Sequence, residues 1–174
     1  AQESTGQLMT ALNRYLEGCV EKNMFVTMAY ALFDARKRQL SFTNAGHPAP
    51  LLLRAGAPGP VELPQSSFPL AVFTEAEFET STVQLEPGDL FVMYTDGLTD
   101  ARNVRQEHFG KQTVMTHLTK HRQAAAGEIV RGLLAEVEQF SDGTEPYDDM
   151  TLIALKVFDE RDGAETDLVA LSKR

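Results

Sequence analysis

The 174-residue chain has one cysteine, no tryptophan and no long apolar segment. With Cys19 as its single cysteine it cannot form an internal disulfide, which favours a reducing, cytoplasmic location. No hydrophobic run approaches the roughly 20 residues that cross a bilayer. The first residues lack the basic and apolar regions of a secretory signal. The sequence therefore predicts a cytoplasmic protein without a membrane segment.

Positive charge is also scarce, with 16 Lys and Arg against 25 Asp and Glu and a formal net charge of -9. This balance argues against binding to nucleic-acid phosphates and against docking on an anionic membrane. It suits a protein that binds cations, although acidic proteins are common for other reasons. The 43% hydrophobic and 24% charged residues are ordinary for one globular domain with a core.

Apolar periodicity and β-branched or aromatic stretches divide the chain into helices and strands. Helices are predicted at residues 4–22, 111–120 and 125–140, and strands at 24–33, 39–44, 50–54, 61–63, 78–85, 90–94 and 151–157. The first two strands form a predicted hairpin. Residues 158–174 are polar and poorly patterned, which predicts a tail or a linker. Antiparallel strands with helices early and late in the chain predict an α+β fold.

The first candidate for chemistry is Asp96, which lies two residues after the end of the apolar strand at 90–94. A buried strand delivers such a carboxylate to the rim of its sheet with little freedom. Gly97 lets the backbone turn with no side chain beside the carboxylate. Taken alone, however, an ordinary Asp-Gly turn is the favoured interpretation.

The second candidate is the pair Asp148 and Asp149, which is separated by one residue from the strand at 151–157. Adjacent carboxylates repel, so they sit apart in solvent or share a cation. A solvated acidic loop is favoured when the pair is taken alone. Mg²⁺ and Mn²⁺ prefer oxygen ligands and take few of them from protein. Two rim carboxylates from different strands would therefore form half of such a site.

Other chemistry has weaker support. Cys19 is predicted to be a core residue on the first helix. His47 is more easily explained as a hydrogen-bonded structural histidine than as a group that orients a phosphate. His108, His117 and His121 show no zinc-ligand pattern, and the last two are predicted to be a solvated pair. No Walker-type or dinucleotide glycine loop is present.

Five segments in order carry a family resemblance: MFVTMAY at 24–30, NAGHPAP at 44–50, LEPGD at 85–89, YTDGLTDA at 94–101 and DDMTL at 148–152. This order closely resembles the SpoIIE/RsbU branch of the metal-dependent (PPM, type 2C-like) serine/threonine protein phosphatases. Each segment alone is weakly specific, whereas five in order are strongly so. The likeness covers about residues 4–158, and the expected organisation is a phosphatase domain at 1–158 followed by a tail or linker at 159–174.

The resemblance implies an α-β-β-α sandwich, with two antiparallel sheets flanked by helices and two Mn²⁺ or Mg²⁺ ions at one end. It places Asp96 and Asp148 at metal-ligand positions, with Gly97 and Asp149 beside them in supporting positions. The implied reaction is attack on a phosphoserine by a water that the ions activate. It uses no covalent intermediate and no catalytic side chain beyond that water.

One departure from the family pattern limits these expectations. The family carries an early stretch like Gly-Asp-Val-Ser-Gly-His-Gly, whose aspartate bridges the two metals, and nothing in this sequence matches it. The expectation is therefore a domain that lacks its first strands and is poorly active. An exposed sheet edge could also drive homodimer formation. The alternative is a degenerate phosphatase fold that binds a protein without catalysis. A third interpretation, an acidic domain with ordinary turns at both aspartates, is disfavoured by the ordered motifs.

The resemblance also implies the partners. The substrate would be a phosphorylated anti-sigma-factor antagonist of the STAS type, in bacterial partner-switching control of transcription. A sensor or receiver domain would lie upstream in the parent protein. Neither nucleic acid nor a membrane is an expected partner.

Overall fold

The computed structural model describes residues 4–21, 23–64, 68–144, 148–158 and 166–173. In chain order the elements are α1 Thr5–Glu17, β1 Met28–Asp34, β2 Gln39–Ala45, β3 Leu51–Leu53, β4 Val61–Glu62, β5 Ser81–Gln84, β6 Leu90–Tyr94, α2 Asp96–Asp100, α3 Lys111–Lys120, α4 Ala126–Ser141, β7 Met150–Val157 and β8 Thr166–Lys173. They separate into two compact units. No helix among the described residues has the length and hydropathy needed to cross a membrane.

The first unit contains α1 and a three-stranded antiparallel sheet in the order β1-β2-β5. The predicted hairpin is confirmed, because β1 and β2 pair from Met28↔Ala45 to Asp34↔Gln39. Helix α1 begins with a capping box between Ser4 and Gln7, which satisfies backbone donors at the helix start. It packs on the sheet through a core that includes the buried residues Met9, Ala45, Leu70 and Phe78.

The end of α1 differs from the prediction. The helix stops at Glu17 rather than continuing to residue 22, and Gly18 follows as its cap. Cys19 therefore lies beyond the helix and is exposed, so its predicted place in the core is wrong. An apolar period that runs on past the last helical turn misled the prediction, because a helix face exists only while the helix continues.

The second unit contains helices α2, α3 and α4 and a five-stranded antiparallel sheet in the order β4-β3-β6-β7-β8. Strand β6 and helix α3 have the bounds that the sequence predicts. The two longer helices share one core with the inner strands, including Val92, Ala154, Leu118 and Leu133. Burial of both faces of β6 explains its continuous apolar run.

Strand β8 was not predicted from sequence, which suggested a tail or linker over 159–174. Residues Thr166–Lys173 instead pair with β7 along its whole length, from Met150↔Lys173 to Val157↔Thr166. Val169 and Leu171 pack against the core, whereas Leu168 is exposed. Because apolar side chains lie on both faces of this edge strand, the alternation that identifies a half-buried strand is weak. The rest of that stretch lies outside the described residues.

Candidate metal centre at the ends of β6 and β7

The candidate site lies where the chain leaves β6 and enters β7. These strands are antiparallel neighbours, and the last residue of β6, Tyr94, is opposite Leu152. The residues after β6 and those before β7 therefore lie at the same end of these two strands. Asp96 is the first residue of α2, and Asp148 comes shortly before β7. Both aspartates are exposed to solvent.

Thr95 connects the two segments directly. Its backbone N–H donates to the Thr151 carbonyl over 3.0 Å. Its hydroxyl accepts from the Thr151 N–H over 2.8 Å and donates to the Asp149 carbonyl over 3.0 Å. The residue before Asp96 is thus held by three hydrogen bonds to the segment that follows Asp148.

Gly97 makes the closest approach between the two segments. A β-carbon at this buried position would lie 2.6 Å from the Asp149 carbonyl oxygen and 3.2 Å from that of Asp148. The sequence suggested that Gly97 keeps space free beside the Asp96 carboxylate. In the structure, the space beside its α-carbon is taken by the backbone of residues 148 and 149. Only glycine allows the two segments to meet in this way.

The carboxylate of Asp148 is oriented by its own neighbour. The Asp149 N–H donates to Asp148 Oδ1 over 2.7 Å, which fixes the side chain against the backbone. An ionised carboxylate has about four acceptor positions, so this bond leaves capacity for a cation or water. Asp149 supplies its N–H to Asp148 and its carbonyl to Thr95. Its observed contacts are therefore with the residues that surround the site.

The donor set suits a hard divalent cation, since carboxylate and carbonyl oxygens are what Mg²⁺ and Mn²⁺ prefer. Asp96 and Asp148 would hold the ion. Within the described ranges, no three side chains of His, Cys, Asp or Glu are arranged to bind a metal. Asp96 and Asp148 therefore fit a partial site, whose coordination water would complete.

Two other family segments form turns that are held by side-chain hydrogen bonds. In LEPGD, Asp89 is buried and accepts from Arg54 over 2.6 Å and from the N–H groups of Ala55 and Glu86 over 3.0 Å each. Three donors around one buried carboxylate compensate for its lost hydration. The segment thus anchors the turn before β6.

In NAGHP, Asn44 closes the loop after β2. Its Oδ1 accepts from the His47 N–H over 2.9 Å, and its Nδ2 donates to the His47 carbonyl over 3.0 Å. His47 Nδ1 lies 3.3 Å from the Thr27 hydroxyl. The prediction that His47 is a hydrogen-bonded histidine is confirmed.

The predicted solvated pair of histidines is wrong for His117. This side chain is buried, with Nδ1 2.6 Å from Glu136 Oε2 and Nε2 3.1 Å from the Ile129 carbonyl. The His121 ring stacks on it at 4.4 Å between centroids. Both polar partners belong to α4, so spacing within α3 could not reveal them.

Comparison with known structures first defines the class of fold. The SiaA-PP2C domain of Pseudomonas aeruginosa superposes with a TM-score of 0.74 at 18% identity, covering 87% of this chain and 60% of that one. The catalytic domain of the serine threonine protein phosphatase PstP, in complex with two manganese ions, gives 0.64 at 17% identity, covering 97% and 73%. The chain therefore has a PP2C-type phosphatase fold, and the predicted fold class is confirmed.

Sequence comparison then gives the family. The family described as Stage II sporulation protein E (SpoIIE) matches residues 1–158, and the chain belongs to this family. The phosphoserine phosphatase RsbU of Bacillus subtilis (strain 168) is 26% identical over 150 residues, covering 86% of this chain and 44% of RsbU. The chain spans less than half the length of the curated relatives it matches.

Proposed function

We propose that this chain is a metal-dependent protein phosphatase domain that hydrolyses phosphoserine on a protein substrate. The observation that carries the proposal is the meeting of the Asp96–Gly97 and Asp148–Asp149 segments at one sheet edge. Support comes from membership of the SpoIIE family and from a phosphoserine phosphatase among the relatives.

Each residue of the site has a proposed part in this function. When bound, Mn²⁺ or Mg²⁺ supplies Lewis-acid activation of water and neutralises charge on the phosphate. Asp96 and Asp148 bind the cations through carboxylate oxygens that are open to solvent. Gly97 allows the backbones to approach, and Asp149 orients the Asp148 side chain through its N–H. Two ions are expected in a complete domain, by analogy with the two manganese ions of the PstP domain, whereas a bridged pair is not expected in this chain.

The proposed substrate is the phosphoserine of a STAS-type anti-sigma-factor antagonist in bacterial partner switching. The relation to RsbU supports a phosphoserine protein, and an upstream sensor or receiver domain in the parent protein is part of the same proposal. The net charge of -9 disfavours nucleic acid or an anionic membrane as a partner. A cytoplasmic location stays a prediction. A homodimer also stays a prediction, and the outer strand β1 is the candidate for pairing between two copies.

We expect slow turnover by this chain on its own. Two carboxylates bind a divalent cation weakly, because hard cations gain most of their affinity from several charged oxygen ligands. Activity should therefore require Mn²⁺ at concentrations well above those that saturate a complete two-ion site.

The test is release of phosphate from a phosphorylated STAS-domain protein as Mn²⁺ is titrated. Asp96→Asn and Asp148→Asn should each reduce the rate to that seen without metal. Asp142→Asn is the matched control, since Asp142 is an exposed aspartate at the end of α4 and asparagine tolerates its left-handed backbone. Hydrolysis that ignores Mn²⁺, or that survives Asp96→Asn, would contradict the proposal.

The second candidate function is protein binding without catalysis. It is favoured by one observation, that the described part of the chain brings no three metal-binding side chains together. The same titration distinguishes the two functions. A binding module would retain the phosphorylated protein with equal affinity in the wild type and in Asp96→Asn, and would release no phosphate from it at any Mn²⁺ concentration.

A further inference from the structure

Thr95 stands at the N-cap position of α2, immediately before Asp96. A threonine at this position ordinarily accepts a hydrogen bond from one of the first amides of its helix. Within the described stretch 68–144, the Thr95 hydroxyl makes no such capping bond. It is hydrogen-bonded instead to residues 149 and 151, in the segment that leads into β7.

The hydroxyl is used in both directions. It accepts from the Thr151 N–H over 2.8 Å and donates to the Asp149 carbonyl over 3.0 Å, so its single proton and one lone pair are both engaged. The strand ladder of β6 and β7 ends at Tyr94↔Leu152. Thr95 therefore extends the hydrogen bonding between the two segments beyond the last ladder pair, as far as Asp149.

From this arrangement we infer that Thr95 is a positioning residue for the metal site, an inference that rests on the proposed function. Thr95 acts by fixing the 148–149 segment relative to Asp96. Its hydroxyl is engaged with backbone partners, so the proposed side-chain ligands of the cation are Asp96 and Asp148. Residues that orient metal ligands in this way typically change metal affinity or activity about 10–100-fold when they are mutated.

The experiment measures Mn²⁺ binding by the intact chain, through paramagnetic broadening of the backbone amide signals at 96–98 and 148–150. Valine has nearly the same shape as threonine but lacks the hydroxyl and its two hydrogen bonds. Thr95→Val should therefore weaken Mn²⁺ binding about 10–100-fold. Thr95→Ser keeps the hydroxyl and should restore affinity close to that of the wild type. Faster hydrogen exchange at the Thr151 amide in Thr95→Val would report the loss of its acceptor.

Thr113→Val is the matched control, because Thr113 is a half-buried threonine on α3 that donates to the Phe109 carbonyl. It should leave Mn²⁺ affinity unchanged. Equal affinity in Thr95→Val and the wild type would overturn the inference, as would a lower melting temperature with no change in affinity of the folded protein. If Thr95→Val does not fold, Thr95→Ala is judged by the same criteria.

Failure of the proposed function gives a different result. Asp96→Asn would then bind Mn²⁺ as tightly as the wild type, or the wild type would show no broadening at either segment. Either outcome overturns the metal site together with the role of Thr95. Loss of binding in Asp96→Asn with full binding in Thr95→Val overturns the positioning role alone.

Discussion

Gly97 packs directly against the carbonyl group of Asp149, with no room between them for a side chain. The contact joins α2 to the segment before β7. The candidate metal ligands are the residues that precede the two contacting residues, Asp96 and Asp148. An ion site requires its ligands to be held within a fraction of an ångström. The Gly97 contact and the Thr95 hydrogen bonds hold the backbone on the two sides of Asp96 against residues 148–151.

Gly97→Ala should therefore destabilise the protein, although alanine is the better helix former by about 1 kcal/mol. The obstructing atoms are backbone, at 2.6 Å, so the 148–149 segment must move. Overpacking of this kind costs about 1–3 kcal/mol. Urea unfolding measures the cost. Gly56→Ala is the control, because the space beside Gly56 is open. Equal stability of Gly97→Ala and the wild type would refute the close contact.

Asp89→Asn should lower the free energy of unfolding by about 2–4 kcal/mol. The buried carboxylate accepts hydrogen bonds from three donors. In asparagine an amide NH₂ replaces one of the oxygens, so at least one of these donors would lose its acceptor. Chemical denaturation is the measurement. Asp34→Asn is the comparison, since Asp34 is exposed and accepts from Lys37 at a turn. A loss below that of Asp34→Asn would count against Asp89 as an anchor.

Strand positions and the position of the candidate site could be predicted from sequence because local signals carry them. The run at 90–94 is continuously apolar, since both faces of β6 are buried, and glycine and aspartate follow where the strand ends. The family segments then led to the prediction that Asp96 and Asp148 belong to one site. Their physical connection through Thr95 and Gly97 could not be predicted, because the bonds depend on the antiparallel register of β6 and β7.

Features that depend on tertiary partners escaped sequence reasoning. Strand β8 exists because a whole edge of β7 is available for pairing, while its own residues alternate weakly. His117 resembles a surface histidine by its spacing within α3, yet it is buried against Ile129 and Glu136 of α4. A buried histidine with two polar partners is recognisable only once both helices are in place.

His117→Leu tests this burial. The two ring nitrogens of the imidazole are hydrogen-bonded to a Glu136 carboxylate oxygen and to the Ile129 carbonyl oxygen. Leucine fills the space but makes neither hydrogen bond, and we expect a loss of about 1–3 kcal/mol in unfolding free energy. His108→Leu is the control, as His108 is half exposed. If both variants lose the same small amount, the buried hydrogen bonds of His117 contribute nothing measurable.

Tyr94→Phe should make stability less sensitive to alkaline pH. Burial raises the pKa of the Tyr94 phenol above its ordinary 10.0, and the charge of Glu62 adds to this shift. Above pH 10.0 the unfolded tyrosine releases its proton while the folded one retains it. The folded state then binds more protons, and stability falls as pH rises through that range.

Below pH 10.0 the contribution of Tyr94 is fully present, so wild type and Tyr94→Phe should differ there by a constant amount. Burial lowers the pKa of Lys156, which acts in the opposite direction up to 10.5, so only the difference between the two proteins isolates Tyr94. Urea unfolding at a series of pH values gives that difference. A difference that stays constant above pH 10.0 would show that folding does not perturb the phenol.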